Sequence, residues 1–293
     1  MTSLDMRTIL FSHVITDIVC AVFISFLWYH NRNRFEGLFF WVIYYIMQVA
    51  ALILIVMRGF VPVSFSIMTG NALIIGGAII LLMGLERFVG KQGLQLHNIA
   101  FLVVFIFIHA YFSFYKPNLA ARSINTSLGM LLLTFQCMWL LLRRVDRVMK
   151  PITRGPGMVF AAYCAISLFR IILILIHPQP GEELFQPGTP DTLFILSYQI
   201  LFVIKTYSLA LLVNRRLIGD VQTQEDCFRS MVEFTSDWDY WKGPDGKLLY
   251  VTPASENLTG YRPRDFIEDP ELLLKIVHPE DQAAVFEHMQ EEL

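Results

Sequence analysis

Charge is scarce in this chain of 293 residues: 16% are Asp, Glu, Lys or Arg, while 55% are apolar and the mean hydropathy is +0.52. Soluble domains carry roughly a quarter charged residues, so an ordinary cytosolic enzyme is excluded at the outset. Cysteine is equally sparse. The four residues Cys20, Cys137, Cys164 and Cys227 form no CxxC or metal-type spacing, which excludes a disulfide scaffold and reads as reduced thiols, three of them inside apolar runs. A cleavable leader is lacking too. The first apolar run, from Arg7 to Tyr29, is too long for a signal core and no A-x-A site follows it, so it reads as a retained membrane helix. Nor is there a Gly-rich nucleotide loop after a strand, a phosphoacceptor-histidine helix, a cyclase signature or a nucleophile–base pair. No catalytic residue, no cofactor, no metal and no nucleic-acid partner is expected.

What the chain does contain is divided unevenly. Residues 1–215 carry 16 Lys+Arg against 8 Asp+Glu, a net +8, and residues 216–293 carry 7 against 17, a net −10. An apolar half with basic edges is joined to an acidic, water-soluble tail.

A helix needs about 20 apolar residues to span the hydrocarbon, because every backbone group must be bonded internally. Seven runs qualify, at 8–29, 38–58, 67–85, 98–115, 121–142, 157–177 and 192–213. With the N-terminus outside, the inner loops hold eleven Lys and Arg residues and the outer segments four. The positive-inside rule then places the acidic tail in the cytoplasm of an inner-membrane, multi-pass protein. Pro62, Pro117, Pro151, Pro156 and Pro178 are all expected in loops or at helix ends.

Polar residues within the spans are costly and point to function. His13 and Asp17 are four apart on the first helix and share a face. At 1.5 Å per residue, His109, Arg170, Asn71, Tyr198 and Gln199 fall in the same outer half, and Asp17 and Arg170 reach similar depths, close enough to pair. Together these seven make a candidate outward-facing sensory cluster; the alternative is that they only hydrogen-bond between helices. A metal site from His13, Asp17 and His109 is not expected. Gly70, Gly77 and Gly84 recur every seven residues on the third helix, a small-residue stripe that lets another helix approach. Lys205, in the seventh helix, invites comparison with a retinal Schiff base. The chain offers no carboxylate four residues before it (Leu201 is there) and no mid-span acid on the third helix. Lys205 is therefore expected to snorkel inward or to pair with a polar neighbour.

After Arg216, Leu217, Val221, Phe228 and Met231, with Gln224 between, outline a short heptad seam over a linker helix at 214–228. Beyond it, Trp238, Tyr240 and Trp241 are strand formers, Pro244-Asp245-Gly246 is a turn, and Leu248 to Val251 form a second strand. A short helix from Ser255 ends at Gly260, and further helical pieces span Arg262–Ile267 and the stretch after Pro279.

The motifs DWDYW, PDGK, LLYVTP, SENLTGY, RPRDFI and IVHPED, together covering residues 229–293, resemble the first half of a PAS domain, as found after membrane regions in sensor histidine kinases and diguanylate cyclases. The resemblance implies a sensory and dimerising module rather than an enzyme. The flavin-binding PAS class has a reactive cysteine where this chain has Ser255–Tyr261, which contains none, and Cys227 is not equivalent. His278 and His288 read as structural or surface residues rather than haem ligands. The pattern breaks off before the last three strands, so a fragment or truncated product is expected, its hairpin marginal in water by itself.

The fold expected is mainly α: a seven-helix transmembrane bundle over residues 1–213, then an incomplete α+β PAS domain over 229–293. The function expected is the sensory input portion of a membrane signalling protein, most plainly a histidine kinase. Its partners would be the bilayer, a second copy through linker and PAS, and a small-molecule or membrane stimulus. A transporter or channel with a regulatory domain would instead show inverted repeats or helices broken at mid-membrane; a catalytically silent anchor is the third reading.

Overall fold

A computed structural model of the chain describes residues 6–58, 60–176, 190–233, 237–244, 247–269 and 271–291. It divides into two compact units, Met1–Arg216 and Leu217–Leu293. Among the described residues, seven helices are long and apolar enough to cross a membrane: α1 (Met6–Asn31), α2 (Leu38–Val56), α3 (Val63–Phe88), α4 (Leu96–Ala110), α5 (Leu119–Trp139), α6 (Lys150–Ile176) and α7 (Pro190–Glu233). Their outer faces are apolar, with Val22 65%, Phe107 72% and Leu175 66% exposed. Such a surface suits lipid rather than water.

The glycine stripe on α3 packs against α2. Gly70 meets Ile55 and Ala51, Gly77 meets Tyr44 and Gln48, and Gly84 meets Trp41 and the Gly37 carbonyl. With no Cβ in the way the two backbones close up, and Trp41 and Tyr45 become fully buried. Gly37, at φ +91°, starts α2 in a left-handed conformation open to glycine at little cost.

Two features depart from the sequence expectation. Helices α4 and α5 each continue into a five-residue π turn, Tyr111–Tyr115 and Leu140–Arg144. Helix α6 begins at Lys150 rather than 157, which places Pro156 inside a helix and not at its end. The polar stretch KPITRGPG is helical because Pro151 suits a first turn and Thr153 Oγ1 anchors that turn by donating to the Leu141 carbonyl at 2.7 Å and to the Met149 carbonyl at 3.1 Å. The seventh span and the linker form one uninterrupted helix.

At the bundle end away from the N-terminus of α1, Arg216 donates to the Phe88 carbonyl at the C-terminus of α3 and lies over the rings of Phe35 and Phe88 at 5.0 and 4.9 Å. The guanidinium supplies a donor to a carbonyl that the helix leaves open. Glu86 accepts from Gln95 Nε2, and Gln95, Asn98 and Gln136 are hydrogen-bonded in series, with Asn98 fully buried.

In the second unit β1 (Tyr240–Lys242) pairs antiparallel with β2 (Leu248–Val251) around an irregularity at Trp241/Lys242. Thr252 ties the ladder's end: its backbone N–H donates to the Asp239 carbonyl, and its hydroxyl accepts from the Asp239 N–H, both at 2.9 Å. Among the described residues four helices follow: α8 (Ala254–Thr259), α9 (Pro263–Glu268), α10 (Leu272–Lys275) and α11 (Gln282–Glu291). Gly260, at φ +81°, caps α8, and the Asp265 carboxylate accepts from the Arg262 N–H to open α9. One sheet face is covered, since Leu248, Val251, Phe266 and Leu273 form a core with Trp238 and Tyr240 against it. An exposed ion pair, Lys275 to Asp269 at 2.7 Å, holds the Asp269 carboxyl below the usual carboxylate range by hydrogen bonding and raises the Lys275 ammonium. Its contribution is present at neutral pH and fades as acid protonates Asp269 or alkali deprotonates Lys275. Asp245 and Gly246 of the expected turn, and Pro178, lie outside the described residues.

Candidate functional site

The first unit contains a cavity of about 500 Å³. Its walls come from all seven long helices, mostly toward the end at which α1 begins. Leu10 of α1, Val63 of α3 and Leu119 of α5 stand within the first turns of their helices, and Arg58 lies in the link that follows α2. Asp17 is about three turns into α1, so the cavity runs deep into the apolar slab.

Six of the seven residues singled out from the sequence line this cavity: His13, Asp17, Asn71, His109, Arg170 and Tyr198. Gln199 does not. One residue beyond Tyr198 it points about 100° away and donates to Ser12 Oγ at 3.2 Å and Thr16 Oγ1 at 3.0 Å on the flank of α1.

The six are not equivalent. Asn71 donates to the Ile67 carbonyl at 2.8 Å and accepts from Thr126 Oγ1 at 3.1 Å, and Tyr198 shares a hydrogen bond with Ser167 at 2.9 Å. The first is a bond within α3, and the other two are interhelical ties. His13 Nε2 lies 3.5 Å from Asp17 Oδ1, one turn along α1. Among the described residues, however, His13 Nδ1, Asp17 Oδ1, both ring nitrogens of His109 and the Ser127 hydroxyl are buried without a hydrogen-bond partner. All four side chains line the cavity. Unsatisfied buried polar atoms cost about 1–3 kcal/mol each, so their convergence on one space marks it as a place built to hold polar matter. Arg170 lies over the Phe194 ring at 5.8 Å.

Sequence reasoning missed two further cavity residues, Arg58 and Arg122, which it counted only as loop charges. Arg58 is half-buried and donates to Ser66 Oγ at 3.4 Å. Burial, with the charge of Arg122 nearby, pushes its guanidinium down to about 10.

Behind the deep wall sits Lys205, 3% exposed. It does not snorkel. Its ammonium donates to the Tyr44 hydroxyl and lies 4.3 Å from the Phe202 ring centre, 4.5 Å from Tyr44 and 5.2 Å from Tyr163, an aromatic box that offsets desolvation by cation–π attraction. Tyr44, Tyr163 and Phe202 have their other sides on the cavity.

The PAS-fold family matches residues 248–293, the segment that begins at β2 and holds the four short helices. No curated protein and no solved structure matches the chain.

Proposed function

We propose that the chain is the input portion of a membrane signalling protein, a sensor histidine kinase in its finer form, with the N-terminus outside an inner membrane and the PAS region in the cytoplasm. The observation that carries this reading is the single helix α7. It presents Tyr198 and Phe202 to the cavity, holds Lys205 in its aromatic box, and continues without a break to Glu233, shortly before the PAS-fold segment. A continuous helix is a physical means for an event at the cavity to bias the packing of residues further along it. The cavity's unsatisfied polar atoms supply the place for that event, and the PAS fold supplies a module of sensory type.

The second half of α7 also favours a homodimer. Val221 and Phe228 are 52% and 60% exposed and stand seven residues apart, on a stripe that begins at Leu217, the pattern of a helix that pairs with its copy. In native membranes, with Cys227 replaced by Ser, Val221→Cys is expected to form an intermolecular disulfide severalfold more readily than Thr223→Cys, which stands off the stripe. The ratio is expected to change when Asp17→Asn or Arg170→Gln is added. Equal cross-linking at the two positions removes the dimer seam; an unchanged ratio in both cavity variants removes the relay.

A further inference from the structure

We infer that the cavity takes an uncharged aromatic molecule with a hydroxyl group at each end; this deepens the sensory reading of the same site and rests on it only in treating the occupant as a stimulus. Among the described residues, the open hydrogen-bonding positions of the cavity fall into two groups on separate helices. One is on α1, where His13 Nδ1 and Asp17 Oδ1 are buried without a hydrogen-bond partner. His13 Nε2, 3.5 Å from Asp17 Oδ1, is too far for a full hydrogen bond. The other group is on α4 and α5, where both ring nitrogens of His109 and the Ser127 hydroxyl are buried and equally unpartnered. Helix α1 packs against α2, whereas α4 and α5 pack against α3 and against each other, so the two groups stand on different walls. None of the four side chains is more than 8% exposed, and all four line the cavity.

The chemistry of the two groups selects the occupant. A neutral imidazole has one donor and one acceptor whichever nitrogen carries the proton, so His109 offers both, and the Ser127 hydroxyl can serve either way. Stacking on Phe105 at 5.4 Å holds the His109 ring and the direction of its nitrogens. On α1 the Asp17 oxygen accepts. A hydroxyl donates and accepts, so one at each end of the occupant answers both groups, whereas an ether or ketone oxygen only accepts and leaves Asp17 Oδ1 unmet. Much of the remaining wall is apolar or aromatic, with Leu52, Ile74, Met130, Tyr163 and Phe202 among its members, and Phe202 stands edge-on to the His13 ring at 6.2 Å. Water would meet the polar atoms but leave this surface wet; an aromatic body covers it. Nothing in the lining calls for charge on the occupant. Asp17 has His13 beside it, and Arg58, Arg122 and Arg170 each have interactions within the protein, while burying a charged ligand group costs far more than burying a hydroxyl. The volume lies in the ordinary range for small-molecule sites, about 300–1,000 Å³.

The probe is tyrosol, 2-(4-hydroxyphenyl)ethanol, titrated calorimetrically into the purified full chain in phosphatidylcholine nanodiscs, with empty nanodiscs as the blank. Four relatives of the same size separate the contributions: 4-ethylphenol and 2-phenylethanol each lack one hydroxyl, tyramine carries a positive charge and 4-hydroxyphenylacetate a negative one. Tyrosol is expected to bind roughly tenfold more tightly than either single-hydroxyl compound, since a missing hydroxyl leaves one buried group unmet, and more tightly than both charged relatives. Ser127→Ala is expected to weaken tyrosol roughly fivefold and to weaken only one of the two single-hydroxyl compounds, the one whose hydroxyl lies at the α4–α5 wall. His109→Phe, which keeps a ring on Phe105, is expected to act in the same direction. A melting curve of each variant confirms the fold, and the comparison of the five compounds on the unaltered chain needs no variant. The inference is overturned if none of the five binds, if tyrosol binds no more tightly than the better single-hydroxyl compound, or if either charged relative binds more tightly than tyrosol. Unchanged tyrosol affinity in both variants overturns it too. Tyrosol binding without any change in cross-linking at residue 221 upholds the inference and removes the sensory reading instead.

Discussion

Replacing Gly84 with leucine is expected to prevent the bundle from assembling, and replacing it with alanine to destabilise it by about 1–3 kcal/mol, the range for overpacking a filled interior. A Cβ at this position would stand 2.6 Å from Trp41 Cδ1, 2.8 Å from Trp41 Nε1 and 2.9 Å from the Gly37 carbonyl oxygen. Two of those atoms belong to a fully buried indole and the third to backbone, so none can swing aside. The comparison is Gly155 in α6, where a Cβ meets nothing within 4 Å. There alanine removes the conformational freedom that glycine brings to a helix and is expected to stabilise by about 0.5–1 kcal/mol. Thermal unfolding of the two alanine variants in the same detergent gives the measurement. Shifts of equal sign would mean that the α2–α3 contact is looser than its geometry states.

The second large effect concerns Asp17 and Lys205. Both are almost wholly buried, at 1% and 3% exposure, and Lys205 lies against the Tyr44 and Phe202 rings that line the cavity together with Asp17. Removing one member of a buried charged pair leaves the other uncompensated and typically costs about 3–5 kcal/mol. Lys205→Met keeps the chain's bulk within the box of Tyr44, Tyr163 and Phe202 while deleting the charge; Asp17→Asn keeps the shape beside His13. Each single variant is expected to lose roughly 3 kcal/mol and the double variant to lose less than either, because no lone charge then remains. Additive losses in the double-mutant cycle would show that the two charges are not coupled.

The fold was legible in the sequence where one physical quantity dominates. Hydrocarbon thickness demands length and apolarity, and all seven spans met that demand. The stripe of Gly70, Gly77 and Gly84 announced a close helix contact because a repeat of seven keeps one face turned to a neighbour. Lys150–Gly157 was misread for the converse reason: apolarity marks the membrane, not the helix, and a polar turn outside hydrocarbon still takes helical form. The π turns depend on how backbone bonds shift at Tyr111–Tyr115 and Leu140–Arg144, and no side-chain pattern announces that.

The candidate site divides in the same way. Helical rise fixes the depth of a residue, so His13, Asp17, Asn71, His109, Arg170 and Tyr198 could be placed at one level from sequence. Rise says nothing of direction around the axis, and Gln199 was lost by a single 100° step. Arg58 and Arg122 were overlooked because a charge near a helix end is ordinarily a solvated loop charge; only packing shows that they turn inward to the cavity. The signal that could have found them was their level, close to that of His109 and Arg170.

The central claim is that the cavity and the second half of α7 lie on opposite sides of one membrane. Cys227, exposed on α7, and a cysteine introduced by Ser123→Cys in the cavity wall report on the two sides. With a membrane-impermeant maleimide on intact cells, the account predicts labelling of the Ser123→Cys variant (carrying Cys227→Ser) and none of Cys227 in the unaltered chain until the membrane is opened. Labelling of Cys227 in intact cells would contradict the account.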